Sequence, residues 1–125
     1  MDLTHKKLNQ IENGRRRGWI IYLLYSAAPM PVDFNTLLEL LDARNFPLSC
    51  RRFAEKMDFL RGAGLLRVFP MGSETELTNV DQAKLIQRYC DNDGEGGHGL
   101  LATLTSKGVN FQEGHFEETG VTRIN

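Results

Sequence analysis

"LSCRRFAEKMDFLRGAGLL", residues 48–66, decides how the chain is read. Ser49 is an N-cap by type, because its hydroxyl accepts a backbone N–H that the first helical turn leaves unpaired. Leu48 just before it and Phe53 at the fourth helical position have the spacing of a hydrophobic staple. Phe53, Met57 and Leu60 recur at i, i+4 and i+7, which is one face of an α-helix. Gly62 and Gly64 supply the left-handed residues expected to end it. The stretch therefore predicts a helix over 49–62. Arg51 and Arg52 fall in its first turn, and Arg51 points away from the apolar side together with Glu55 and Asp58.

Working upstream, "RRRGWIIYLLYSAA" (15–28) carries Ile20, Leu23, Leu24 and Ala27 as one helical stripe, widened by Trp19, Tyr22 and Tyr25. "PMP" at 29–31 ends that helix, since proline removes a donor and restrains its neighbour. Residues 3–13 read as a separate short helix on the sparse anchors Leu3, Leu8 and Ile11, with Asn13-Gly14 as the break. A further helix over 34–44 starts at the N-cap Asp33, repeats Phe34, Leu37, Leu38 and Leu41, and closes at Asn45 and Pro47.

Downstream, "LLRVFP" (65–70) and "GLLATLT" (99–105) read as antiparallel strands. Between them lies an insertion, 71–97. It holds a helix over 79–90 within "TNVDQAKLIQRYC" and an acidic, flexible loop, "DNDGEGGHG". A last helix runs over 106–113 from the cap Thr105, and the polar tail from 115 is expected to be extended. Three helices followed by a two-stranded ribbon is the order of a winged helix. The expectation is an α+β, mostly α, winged helix with a three-helix core, a two-stranded β-ribbon and an inserted helix between the wing strands. It forms one domain over 1–125, with an N-terminal extension (1–14), the wing insertion (71–97) and a C-terminal tail (115–125).

A chain of 125 residues suits one core. Its 41% hydrophobic and 25% charged residues are ordinary for a soluble globular protein. No apolar run reaches membrane-spanning length, and the polar start "MDLTHKKLNQIENGRRRG" lacks the apolar core of a signal peptide, so a cytoplasmic protein that does not enter the membrane is expected. Cys50 and Cys90 fit no metal or redox spacing and are expected to be free thiols. The net charge of −1 argues against a strongly basic nucleic-acid binder. It hides an asymmetry: residues 1–70 hold 11 Lys and Arg against 7 Asp and Glu, and residues 71–125 hold 4 against 9. A basic first part and an acidic second part suit a DNA-facing half with an acidic appendage.

"MDFLRGAGLL" (57–66), "LLATLTSKGVNFQEGH" (100–115) and "GVTR" (120–123), in that order, resemble a small family of Mu-like phages and prophages. The resemblance covers most of residues 15–123. It implies a winged-helix-like fold and a phage- or prophage-encoded protein in a bacterial host cell, and the family brings no assigned function. The wings of that family are typically short, so the insertion at 71–97 departs from its pattern.

The candidate nucleic-acid-binding residues are Arg15, Arg16, Arg17, Arg51, Arg52, Lys56 and Arg67. A helix N-terminus already favours phosphate, and arginines there can meet phosphates or a guanine edge. Cations in a first turn are unfavourable for the helix itself, which points toward use. Glu55 and Asp58 on the same face oppose it. Arg15–Arg17 form the densest basic run and are expected to anchor phosphates. Lys56 flanks the core side, where it can snorkel, and Arg67 lies near the wing base.

His5, His98 and His115 are scattered, and the acidic loop lacks an EF-hand pattern. No phosphate loop, nucleophile elbow or His-Glu-x-x-His is present. A non-catalytic protein without metal or cofactor is expected, regulator-like, with double-stranded DNA as partner and a homodimer through the inserted helix. The rival reading is a protein–protein interaction or assembly module of phage morphogenesis that does not bind DNA.

Overall fold

In the computed structural model, which describes residues 3–73 and 76–125, the caps form where the side chains dictate. The elements are α1 (Leu3–Ala27), β1 (Val32–Asp33), α2 (Phe34–Ala43), α3 (Cys50–Gly62), β2 (Leu66–Pro70), α4 (Asn79–Asp91), β3 (Leu100–Leu104) and α5 (Ser106–Gln112). Positions 1–2 of the expected extension and 74–75 of the expected insertion lie outside the described residues, as does the side chain of Leu3. Asp33, Ser49, Thr78 and Thr105 each accept a backbone N–H from the first turn of the helix they precede. α3 closes with Leu65 N–H donating to Leu60 O and Gly64 N–H to Arg61 O, with Gly64 left-handed at φ 79°. Gly62 does not share that role. It sits inside the last helical turn.

The fold is α+β and mostly helical, with a small three-stranded antiparallel sheet in the order β1-β3-β2. The two strands expected from sequence pair from Leu66↔Leu104 to Pro70↔Leu100. The third strand, β1, was not expected. It pairs Val32 with Ala102 and Asp33 with Leu101, and two residues beside prolines carry no periodicity to read. Asp33 both pairs in the sheet and caps α2.

The core is the meeting of all helices with one sheet face. Ile20, Ile21 and Leu24 from α1, Phe34, Leu37 and Leu41 from α2, and Phe53, Met57 and Leu60 from α3 are buried together. Phe111 of α5 and Val121 of the tail close the far side. The apolar face assigned to residues 48–66 is thus the buried one.

One sequence expectation fails here for a physical reason. The helices expected at 3–13 and 15–28 are one continuous helix, α1, and Asn13-Gly14 does not break it. The polar tail, which forms no helix or strand, lies against α1 at that point. Thr122 N–H donates to Gly14 O at 3.0 Å. A Cβ on Gly18 would collide with Thr122 O. The glycines are present because two backbones touch, a use that outweighs their cost inside a helix. Arg123 fastens the tail by donating Nε to Phe111 O and Nη2 to Phe116 O, both at 2.7 Å.

The inserted helix α4 folds back onto its own chain. It runs beside α3 and over the edge strand β2, burying Ile86 and Tyr89. Gln82 Oε1 accepts from Val68 N–H at 2.8 Å, so the helix supplies an acceptor to an otherwise open sheet edge. The apolar face of α4, by sequence open either to the chain's own core or to a second copy, is therefore used inside the chain. Val80 remains its large exposed apolar residue.

Substituting Gly18→Ala is expected to destabilise the protein by about 1–3 kcal/mol through overpacking. Gly62→Ala, where an added Cβ meets nothing within 4 Å, is expected to stabilise it by about 0.5–1 kcal/mol. Urea unfolding of the two variants beside wild type checks both signs. Met57→Ala, at a fully buried position, is expected to cost about 2–5 kcal/mol in the same assay, and full stability would contradict the assigned helix face.

Candidate nucleic-acid interface

One turn of α3 sets the geometry. With Ser49 accepting Arg52 N–H at 3.2 Å, the helix begins at Cys50 and places Arg51 and Arg52 on solvent, on either side of its exposed strip. Arg52 faces α1. Arg51 faces α4.

On the α1 side, Arg16, Arg17, Arg52 and Lys56 line one cleft of 320 Å³ between α1 and α3, with Glu12 and Glu55 at its edges and Asn9 and Asn13 along its wall. Four of the seven expected residues therefore meet in one place, although up to 40 positions separate them in the chain. The reason is helical spacing: Asn9, Asn13, Arg16 and Arg17 share the side of α1 that faces α3, whereas Arg15 is exposed and lines no part of the cleft. Arg67 also stands apart. It is exposed on β2, with its guanidinium 5.1 Å from the centre of the Phe69 ring.

The cleft cations differ in what they do. Arg17 is structural: its guanidinium lies 3.8 Å over the Phe59 ring, and Nη1 donates to Gly120 O at 3.1 Å, which ties α1, α3 and the tail together. Arg16 Nη1 meets Glu12 at 3.5 Å. Arg52 forms no ion pair among the described residues and is exposed.

Lys56 is the residue the sequence reading underestimated. A candidate nucleic-acid contact that could also simply snorkel, it is 6% exposed. Its ammonium donates to the neutral Asn13 Oδ1 at 3.3 Å. Burial pushes its pKa down, Arg17, Arg16 and Arg52 push it further the same way, and Glu55 opposes them. Asn13, by residue type a break signal, is thus a wall of this cleft. No local pattern could have shown that, because the pairing joins two helices.

On the other side of the same strip, Arg51, Ala54, Glu55 and Asp58 of α3 face Val80, Ala83, Lys84 and Gln87 of α4 across a second groove of 520 Å³. Its charges are mixed. Asp58 is already held by Arg61 at 2.9 Å. Cys90 lies in this groove, and both cysteines are free thiols.

Comparisons with known protein families, with curated proteins and with solved structures found no match for this chain. No helix among the described residues is long and apolar enough to cross a membrane.

The depressed pKa of Lys56 fixes a sign. Its folded value lies below the unfolded 10.5, so the folded state releases a proton more readily than the unfolded chain, and the penalty for holding the charge is full below the folded pKa and fades as pH rises toward 10.5. Lys56→Met is therefore expected to be more stable than wild type at about pH 7, with that advantage shrinking at about pH 10. Paired urea titrations at the two pH values check it, and an advantage that grows with pH would contradict the assignment.

Proposed function

We propose that this protein is a non-catalytic winged-helix DNA-binding protein, encoded by a phage or prophage and acting in the cytoplasm of the bacterial host. In this reading α3 is the groove element and the β2–β3 ribbon, with α4 inserted, is the wing. The element order α1-β1-α2-α3-β2-β3, with β3 central in the sheet, supports it. The observation that carries it furthest is the exposure of Arg51 and Arg52 on the first turn of α3, beside a cleft that adds Arg16 and Lys56. The major groove admits one α-helix, and arginines at its leading turn meet phosphates and guanine edges. Arg16 and Arg52 would hold backbone phosphate, while Arg51 would face the bases. A two-fold dimer would pair two such helices on DNA, with the exposed Val80 end of α4 as the apolar surface left to it.

A second reading has its own support. The α3–α4 groove has an apolar floor of Ala54, Ala83 and Ile86 and a rim of both charge signs. That composition suits a protein segment better than a phosphate backbone, and it favours an assembly module that does not touch DNA.

Fluorescence anisotropy with a mixed-sequence duplex at two salt concentrations separates the readings. The DNA reading expects binding that weakens steeply with salt and is abolished by Arg51→Ala with Arg52→Ala, in a variant whose unfolding curve matches wild type. Absence of binding at low salt would sink the DNA reading and leave the groove reading.

A further inference from the structure

The α1–α3 cleft holds more positive charge than its own carboxylates answer. Four cationic side chains face two carboxylates, Glu12 and Glu55. Glu12 is engaged with Arg16. Arg17 is committed to the Phe59 ring and to Gly120 O. Glu55 is the carboxylate left to answer both Arg52 and Lys56, so positive charge stays in excess in the cleft.

Lys56 sharpens this. Lysine is almost never so fully buried unless paired. Its hydrogen bond to Asn13 Oδ1, at 3.3 Å, is to a neutral amide and is longer than charge-assisted bonds, which fall at about 2.7–2.9 Å. Two further donors nearby are also unanswered: Arg16 Nε and Arg17 Nε are buried without a hydrogen-bond partner. Buried donors left unpaired carry a desolvation penalty that is larger when the group is charged. Buried polar groups are as a rule answered by protein, water or an ion, so these donors call for an acceptor.

From these contacts we propose that the cleft between α1 and α3 is a binding site for a single phosphate group, with the Lys56 ammonium as its buried floor and Arg16 and Arg52 as its rim. A phosphate has the matching chemistry. It presents several acceptor oxygens in a tetrahedral array, so donors converging from two helices can each take one, and it accepts paired N–H groups from a guanidinium. A carboxylate offers only two oxygens in a plane. The phosphate comes either from the backbone of a nucleic acid or from a free phosphate or phosphate monoester. The site does not depend on α3 entering a groove, so it stands or falls apart from the DNA reading.

The test uses the full chain, wild type beside Lys56→Met and Arg16→Gln. In one arm, thermal unfolding is followed as inorganic phosphate replaces chloride at constant ionic strength. In the other, the same three proteins are titrated against a DNA duplex. A rise in melting temperature with phosphate in wild type that is lost in Lys56→Met and weakened in Arg16→Gln assigns the site to free phosphate. No rise in any protein, with duplex affinity reduced about tenfold or more in Lys56→Met, assigns it to the nucleic-acid backbone. Lys56→Met is expected to fold, since a buried aliphatic chain replaces a buried charge. A variant that equals wild type in both arms overturns the proposal. A phosphate response that needs Lys56, in a protein that ignores duplex, upholds the site and defeats the DNA reading instead.

Discussion

The packing of α3 on three sides governs the rest of the molecule. A thirteen-residue helix has to meet the core through Phe53, Met57 and Leu60, α4 through Ala54, and α1 through Lys56. These contacts consume most of its circumference. The strip left to solvent carries Arg51, Arg52, Glu55, Asp58 and Phe59, and the groove-reading role proposed for α3 depends on that strip. Because α4 also covers the edge of β2, the insertion stabilises the ribbon and narrows the approach to α3 in one step.

The α1 side is fixed by a different constraint, the contact of two backbones. Thr122 sits on Gly14 and Gly18, and this holds the tail where Gly120 O can accept from Arg17. Arg17 in turn is stacked on Phe59 of α3. The "GVTR" segment thus supports the wall of the cationic cleft without lining it.

Periodicity and capping made the helices and the ribbon legible. Asp33, Ser49 and Thr105 announce three helix starts, and the strands fall within a residue of their expected limits. Local patterns misled where a residue serves a distant contact. Asn13-Gly14 has the composition of a turn, yet Gly14 is in a helix because Thr122 crosses it. β1 is too short to show alternation. The α4 stripe looked available because its burial against α3 and β2 is a tertiary fact. Of the seven cations picked out by residue type, Arg16, Arg17, Arg52 and Lys56 converge on one cleft. The split of Arg51 from Arg52 to opposite sides of the strip, the separation of Arg15 and the burial of Lys56 follow from how α1 and α4 flank α3, which no single stretch encodes.

The central claim is that the exposed first turn of α3 and the adjoining face of α1 form the surface that meets nucleic acid. Amide chemical-shift mapping of the isotope-labelled protein, titrated with a short duplex at low salt, tests it most directly. The account expects perturbations centred on Arg51 and Arg52 and extending to Asn13 and Arg16 on α1. Perturbations confined to the α4 wall of the second groove, at Ala83 and Gln87, or none at all, would contradict it.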